Sequence, residues 1–128
     1  MADKEVVDTS GAPQNDNPYS QGIVTDGLLF VSGQGPTDPE TGDQILDDVG
    51  AATERTLQNV QAIVESADGS LDDVVKVTVY LRDMDDYGAM NEVYGTFFEE
   101  EPPARVCIQA GRLPGDIPVE IEAFARVE

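Results

Sequence analysis

Residues 74–110 read VVKVTVYLRDMDDYGAMNEVYGTFFEEEPPARVCIQA, and the change of period inside this stretch decides the fold. Val75, Val77, Val79 and Leu81 alternate with Lys76, Thr78, Tyr80 and Arg82. That two-residue repeat is the pattern of a strand. Beyond Asp83 the apolar residues recur at three- and four-residue steps, placing Tyr87, Met90, Tyr94, Phe97 and Phe98 on one stripe. This predicts an amphipathic helix. The run EEEPP stops it, because proline has no amide proton with which to extend the ladder. A second alternating run, 104–110, sets Arg105, Cys107 and Gln109 on one face and Val106, Ile108 and Ala110 on the other. Helix crossovers between strands predict parallel neighbours with the helices packed on one face.

Upstream, Val49, Ala52, Leu57, Val60, Ile63, Val64 and Ala67 repeat the helical spacing. Asp47 or Asp48 is the expected N-cap, and Asp68-Gly69 the expected stop. Ser70 and Asp73 carry the spacing of a capping box. Before this helix, Asp26-Gly27 lies between two apolar runs, at 21–25 and 28–32, which predicts a two-residue hairpin turn. A short strand is expected near Glu5–Asp8, and the Pro-, Gly- and Asp-rich segment 35–43 is read as a loop. Downstream, Ile121, Ala123 and Ala125 alternate with Glu120, Glu122, Phe124 and Arg126, which gives a last strand over 119–127. The order is hairpin, helix, strand, helix, strand, strand: a single α+β domain over 1–128, its mixed sheet backed by two helices on one face. The other sheet face is mixed polar, and either meets water or forms a wet interface between subunits.

Charge is the dominant bulk feature. The 128 residues carry 26 acidic and 7 basic side chains, for a formal net charge of -19. Such a surface repels phosphate backbones and anionic lipid, so nucleic acid and membranes are not the expected partners. Dispersed acidity with only two lysines, Lys4 and Lys76, points to work in high salt, where self-repulsion is screened. One cysteine, Cys107, permits no internal disulfide. Together with an N-terminal stretch lacking an apolar run, this favours a reducing, cytoplasmic setting.

The chain contains no histidine. The commonest general base and the commonest metal ligand are therefore missing, and no CxxC, HExxH, P-loop or dinucleotide-binding pattern is present. Chemistry must rest on arginine, carboxylates, tyrosine, one thiol, backbone dipoles and water, with no metal or organic cofactor. Strand alternation places Arg105 and Glu120 on a common, helix-free side of the sheet. A cation and a carboxylate on one face would suffice to grip an anionic substrate and hold a water. The same spacing equally fits a surface ion pair between Arg105 and Glu120 or Glu122.

The closing segment PPARVCIQAGRLPGDIPVEIEAFA (102–125) resembles the Rid family, also called the YjgF or reactive-intermediate deaminase family, in its Pro-Ala-Arg, Leu-Pro and Glu-Ile-Glu-Ala elements. Asn17-Pro18-Tyr19-Ser20-Gln21, Val31-Ser32-Gly33-Gln34, Gln58-Asn59-Val60 and Asn91 are similar to further family elements in the same order. Asn17, Gly35 and Gly111 depart from that pattern, and the first two put cleft shape in question. The resemblance implies a Bacillus chorismate mutase-like α+β fold and a homotrimer with sites in the clefts between subunits. It further implies that Arg105 holds a substrate carboxylate, that Glu120 holds the attacking water, and that main-chain groups of Gly33 and Cys107 contact the substrate. Tyr19 would line the cleft, and Asn91 would be a further substrate-binding residue. The expected activity is hydrolysis of 2-imino and enamine acids to 2-oxo acids and ammonia. A homotrimer that binds a small metabolite without turning it over is the alternative. The ribonuclease activity also attached to the family fits poorly with the absent histidine and the charge of -19.

Overall fold

A computed structural model describes residues 3–127. Eight regular elements follow one another: β1 (Glu5–Val7), β2 (Gly22–Thr25), β3 (Leu28–Gln34), α1 (Val49–Ser66), β4 (Val74–Leu81), α2 (Tyr87–Phe97), β5 (Ala104–Gln109) and β6 (Val119–Arg126). They build one six-stranded sheet in the order β1-β2-β3-β6-β4-β5. At the first turn Asp26 and Gly27 both take positive φ, 52° and 75°, as the two-residue hairpin requires. The Asp48 side chain accepts from the amide of Ala51 at 3.1 Å and starts α1. At its other end Asp68 itself adopts the left-handed conformation, with φ 67°. The amides of Asp68 and Gly69 return to the carbonyls of Glu65 and Val64 at 3.0 Å each, a Schellman arrangement with aspartate in the place glycine usually takes.

The crossover expectation holds for one helix and fails for the other. β4 and β5, joined through α2, are parallel neighbours. β3 and β4, joined through α1, are not adjacent, because β6 returns between them and pairs antiparallel with both. A strand that closes the chain can be inserted only by long-range pairing, which local periodicity does not encode.

Both helices cover one face. There Val77, Val79 and Leu81 of β4, Ile121, Ala123 and Ala125 of β6, and Leu29 and Val31 of β3 meet Leu57, Val60, Ile63 and Val64 of α1 and Met90 of α2, all buried. The opposite face is more apolar than its sequence suggested. Phe30 and Phe124 meet edge to face at 5.2 Å, and farther along the same face, on the edge strand β5, Val106 and Ile108 stand exposed at 44% each. Glu120, Glu122, Thr78 and Tyr80 supply the polar part of that face. Among the described residues no helix is long and apolar enough to cross a membrane.

Candidate active site

Glu120 leaves β6 on the helix-free face and lies across β3. Its carboxylate comes so close to Gly33 that a Cβ there would collide with it, standing 3.0 Å from Glu120 Cδ and 3.2 Å from Cγ. Gly33 sits where the β3–β6 register shifts, between Val31 and Gln34. Its missing side chain is thus a requirement of close approach. Burial pushes the Glu120 carboxyl above its ordinary value, and the neighbouring charge of Glu122 pushes it further. Glu122 in turn accepts a hydrogen bond from the Tyr80 hydroxyl at 3.1 Å. Beside Glu120 opens a cleft of about 280 Å³, bordered by Tyr19, Gly33, Gln34, Pro114 and Ile117.

Buried amides hold the walls of this cleft. Gln21 accepts from the Thr9 amide at 2.6 Å and donates to the carbonyls of Thr9, Ala12 and Pro13 at 3.0, 3.2 and 2.9 Å, which fixes the loop before Tyr19. Asn59, fully buried on α1, donates to the carbonyls of Gly35 and Thr37 at 3.0 and 2.9 Å and accepts from Arg55 at 3.0 Å. Arg82 donates to the carbonyls of Asp116 and Leu46 at 2.7 and 3.0 Å and pins the turn at Pro114–Asp116. Gly33, Tyr19 and Glu120 thereby border one cleft.

Arg105 is elsewhere. In β5 it pairs with Val77, whose side chain lies in the core, so its side chain leaves toward α2. Nη1 donates to Asn91 Oδ1 at 2.7 Å and Nη2 to the Tyr87 hydroxyl at 3.1 Å. The guanidinium carbon stands 4.7 Å from the centroid of the Tyr94 ring and 5.6 Å from that of Tyr87. Burial drives the Tyr94 hydroxyl up to about 12, and the Arg105 charge pulls the other way. Among the described residues the one ion pair is Arg82 with Asp116, at 3.6 Å; Arg105 has none.

Cys107, two residues on, points its half-buried side chain to the same side. Burial pushes its thiol up, opposed by Arg105, so the sulfur stays a thiol at neutral pH and is a poor nucleophile. Its main chain is better placed. The amide of Ala110 bonds Leu81 of β4, and hydrogen-bonding direction alternates along a strand. The amide and carbonyl of Cys107 therefore point off β5, the free edge of the sheet.

The expectation that Arg105 and Glu120 share a face is incorrect. Glu120 pairs with Tyr80 on β4, and Tyr80 with Ile108 on β5, while Arg105 faces the helices. The register leaves them two strand spacings of about 4.8 Å and three residues, roughly 10 Å, apart on opposite sides of the sheet. The partner strand sets the faces of β5: in a strand this short and exposed, periodicity alone lets either face be read as the core, and the pairing of Arg105 with Val77 decides it. The ion pair of Arg105 with Glu120 or Glu122 is absent for the same reason. The candidate residues thus fall into two separate groups: Tyr19, Gly33 and Glu120 in one, Asn91, Arg105 and Cys107 in the other. The sequence reading placed Tyr87 and Tyr94 on the apolar face of α2, which is right for the buried Tyr94, but missed the contact of both with Arg105. Tyr87 is 42% exposed. The usable signal was their spacing: Tyr87, Asn91 and Tyr94 at i, i+4 and i+7 form one helical stripe.

The family model described as endoribonuclease L-PSP matches residues 9–127. A RutC family protein of Pyrococcus abyssi is 50% identical over 125 residues, covering 98% of each chain. The 2-iminobutanoate/2-iminopropanoate deaminase of Salmonella typhimurium is 41% identical over 124 residues, covering 94% of this chain and 96% of that one. Escherichia coli TdcF, solved with bound serine, superposes with a TM-score of 0.91 at 40% identity over 97% of this chain and 99% of its own.

Proposed function

The chain belongs to the Rid family, the group the endoribonuclease L-PSP model describes, and from that premise we propose that it is a 2-imino and enamine acid deaminase whose site two copies share. The observation that carries this reading is the unpaired Arg105 guanidinium, held in place by neutral groups in a chain with 26 acidic side chains. A carboxylate is the planar anion that a guanidinium fork fits best.

Arg105 grips the substrate carboxylate, and the Cys107 carbonyl at the free edge of β5 accepts from the imine nitrogen. Across the subunit boundary, Glu120 of the adjoining copy holds a water over the imine carbon. The raised proton affinity of that carboxyl suits a group that must take a proton and return it. Water adds to the carbon, Glu120 accepts its proton, and the nitrogen is protonated. The resulting carbinolamine expels ammonia and leaves the 2-oxo acid. Imines hydrolyse readily, so placing the reactants supplies most of what is needed. A cytoplasmic homotrimer gives three such sites. Phe30, Phe124, Val106 and Ile108 on the helix-free face are the apolar surface such an assembly would cover.

The test generates 2-aminoacrylate with a pyridoxal-phosphate-dependent lyase and follows its decay. Wild type should accelerate decay, and Arg105→Ala should lose roughly a hundredfold or more in kcat/KM. Acceleration undiminished in the variant refutes the assignment. Binding of 2-oxo acids with no acceleration by wild type would instead leave a metabolite binder.

A further inference from the structure

Every group that touches the Arg105 guanidinium is uncharged. Asn91 and Tyr87 accept from it at 2.7 and 3.1 Å, the Tyr94 ring lies 4.7 Å beneath its central carbon, and Met90 sulfur stands 3.9 Å from Nη1. All four project from α2, from positions 87, 90, 91 and 94. A guanidinium has five N–H donors in a rigid plane. Asn91 and the Met90 sulfur take the two donors of Nη1 and Tyr87 takes one of Nη2, which fixes the plane and leaves two donors open, one on Nη2 and one on Nε. The Tyr94 ring braces the lower face through its quadrupole without neutralising anything. The Tyr94 hydroxyl is buried and unpartnered, so this residue's contribution is its ring.

We propose that α2 is a charge-sparing clamp: Tyr87, Asn91 and Tyr94 are positioning residues that hold Arg105 rigid while leaving its positive charge unspent for a substrate carboxylate. This rests on the deaminase reading and assigns Asn91 a different task from direct substrate contact. A carboxylate in its place would hold the guanidinium as tightly but cancel the charge. That replacement is chemically close at hand in a chain with 26 acidic residues, and asparagine stands there instead.

The experiment compares Tyr87→Phe, Asn91→Ala, Asn91→Asp and Arg105→Ala with wild type. It measures kcat and KM separately on 2-aminoacrylate, and the Kd of pyruvate by calorimetric titration. Tyr87→Phe changes one exposed hydroxyl and keeps the ring, so it tests the clamp without endangering the fold; circular dichroism checks the others. The expected pattern is a KM rise of about threefold for Tyr87→Phe with kcat within twofold, and larger for Asn91→Ala. Asn91→Asp should be worst, about tenfold beyond Asn91→Ala and near Arg105→Ala, with pyruvate Kd in the same order. Asn91→Asp equal to or better than Asn91→Ala, or Tyr87→Phe indistinguishable from wild type, overturns the clamp. If wild type binds pyruvate in this order without hydrolysing imine, the deaminase reading falls and the clamp stands. If it neither binds nor hydrolyses, both fall.

Discussion

Gly33 and Glu120 illustrate how one absent side chain can set a chemical group. The carboxylate of Glu120 occupies the space a β-carbon on residue 33 would need, with Cδ only 3.0 Å from that position. The atoms in conflict are the end of a flexible side chain, so an added methyl moves the carboxylate and leaves the backbone in place. Gly33→Ala should therefore separate function from stability. We expect a loss in kcat/KM of about tenfold or more, since small misplacements of a reacting group are costly. The melting temperature should change little. A large fall in melting temperature with kcat/KM preserved would show that the close approach serves packing alone. In sequence Gly33 was legible as a family element. Its physical reason was not, because the contact depends on how β3 and β6, some ninety residues apart, fall into register with a shift between Val31 and Gln34. The same long-range register misplaced Arg105. Alternation correctly grouped Arg105 with Cys107 and Gln109, and Glu120 with Glu122, but only the β4 partners Val77 and Tyr80 decide which group meets the helices.

At the level of elements, local signals were read well where they are locally caused. The hairpin turn, the α1 cap and most of the strand alternations follow from one or two residues acting on their own backbone; α2 instead ends at Phe97, five residues before Pro102, and a register shift between Val74 and Lys76 buries Val74 and leaves Val75, read with Val77, Val79 and Leu81, 50% exposed. The Asp48 cap gives a direct check: its carboxylate satisfies the amide of Ala51 at 3.1 Å, an orphan donor of the first turn. Asp48→Ala should cost about 1 kcal/mol of unfolding free energy, read as a lower urea midpoint with unchanged slope. An unaltered midpoint would mean that water replaces the cap without loss. α1 has a second task that this loss would expose. Through Asn59 it holds Gly35 and Thr37, so loosening the helix should also loosen the cleft wall. What periodicity could not show was the insertion of β6 between β3 and β4, nor that α2 presents two faces of use. Met90 and Tyr94 fill the core, yet the stripe Tyr87, Asn91 and Tyr94 serves Arg105.

For the whole molecule, the separation of Arg105 from Glu120 across one sheet makes oligomerisation a condition of the proposed chemistry. A single chain offers a cleft with a carboxylate but no cation among its borders, and a cation beside a free strand edge with no carboxylate paired to it. A second copy can supply what each lacks. Mixing two disabled chains tests this directly. Arg105→Ala retains a sound Glu120 half-site, and Glu120→Gln retains a sound Arg105 half-site; each alone should be inactive. In a co-refolded equimolar mixture, a site works wherever the first chain supplies the glutamate and the second the arginine. Random assembly gives that arrangement at about one site in four, whether the assembly is a dimer or a three-membered ring. Activity near a quarter of wild type should thus appear on mixing and follow subunit exchange. Two inactive chains that stay inactive when mixed, while gel filtration shows them assembled together, would mean that no site spans the boundary. Arg105 and Glu120 would then have to act apart, and the hydrolytic mechanism would have no geometry to run on.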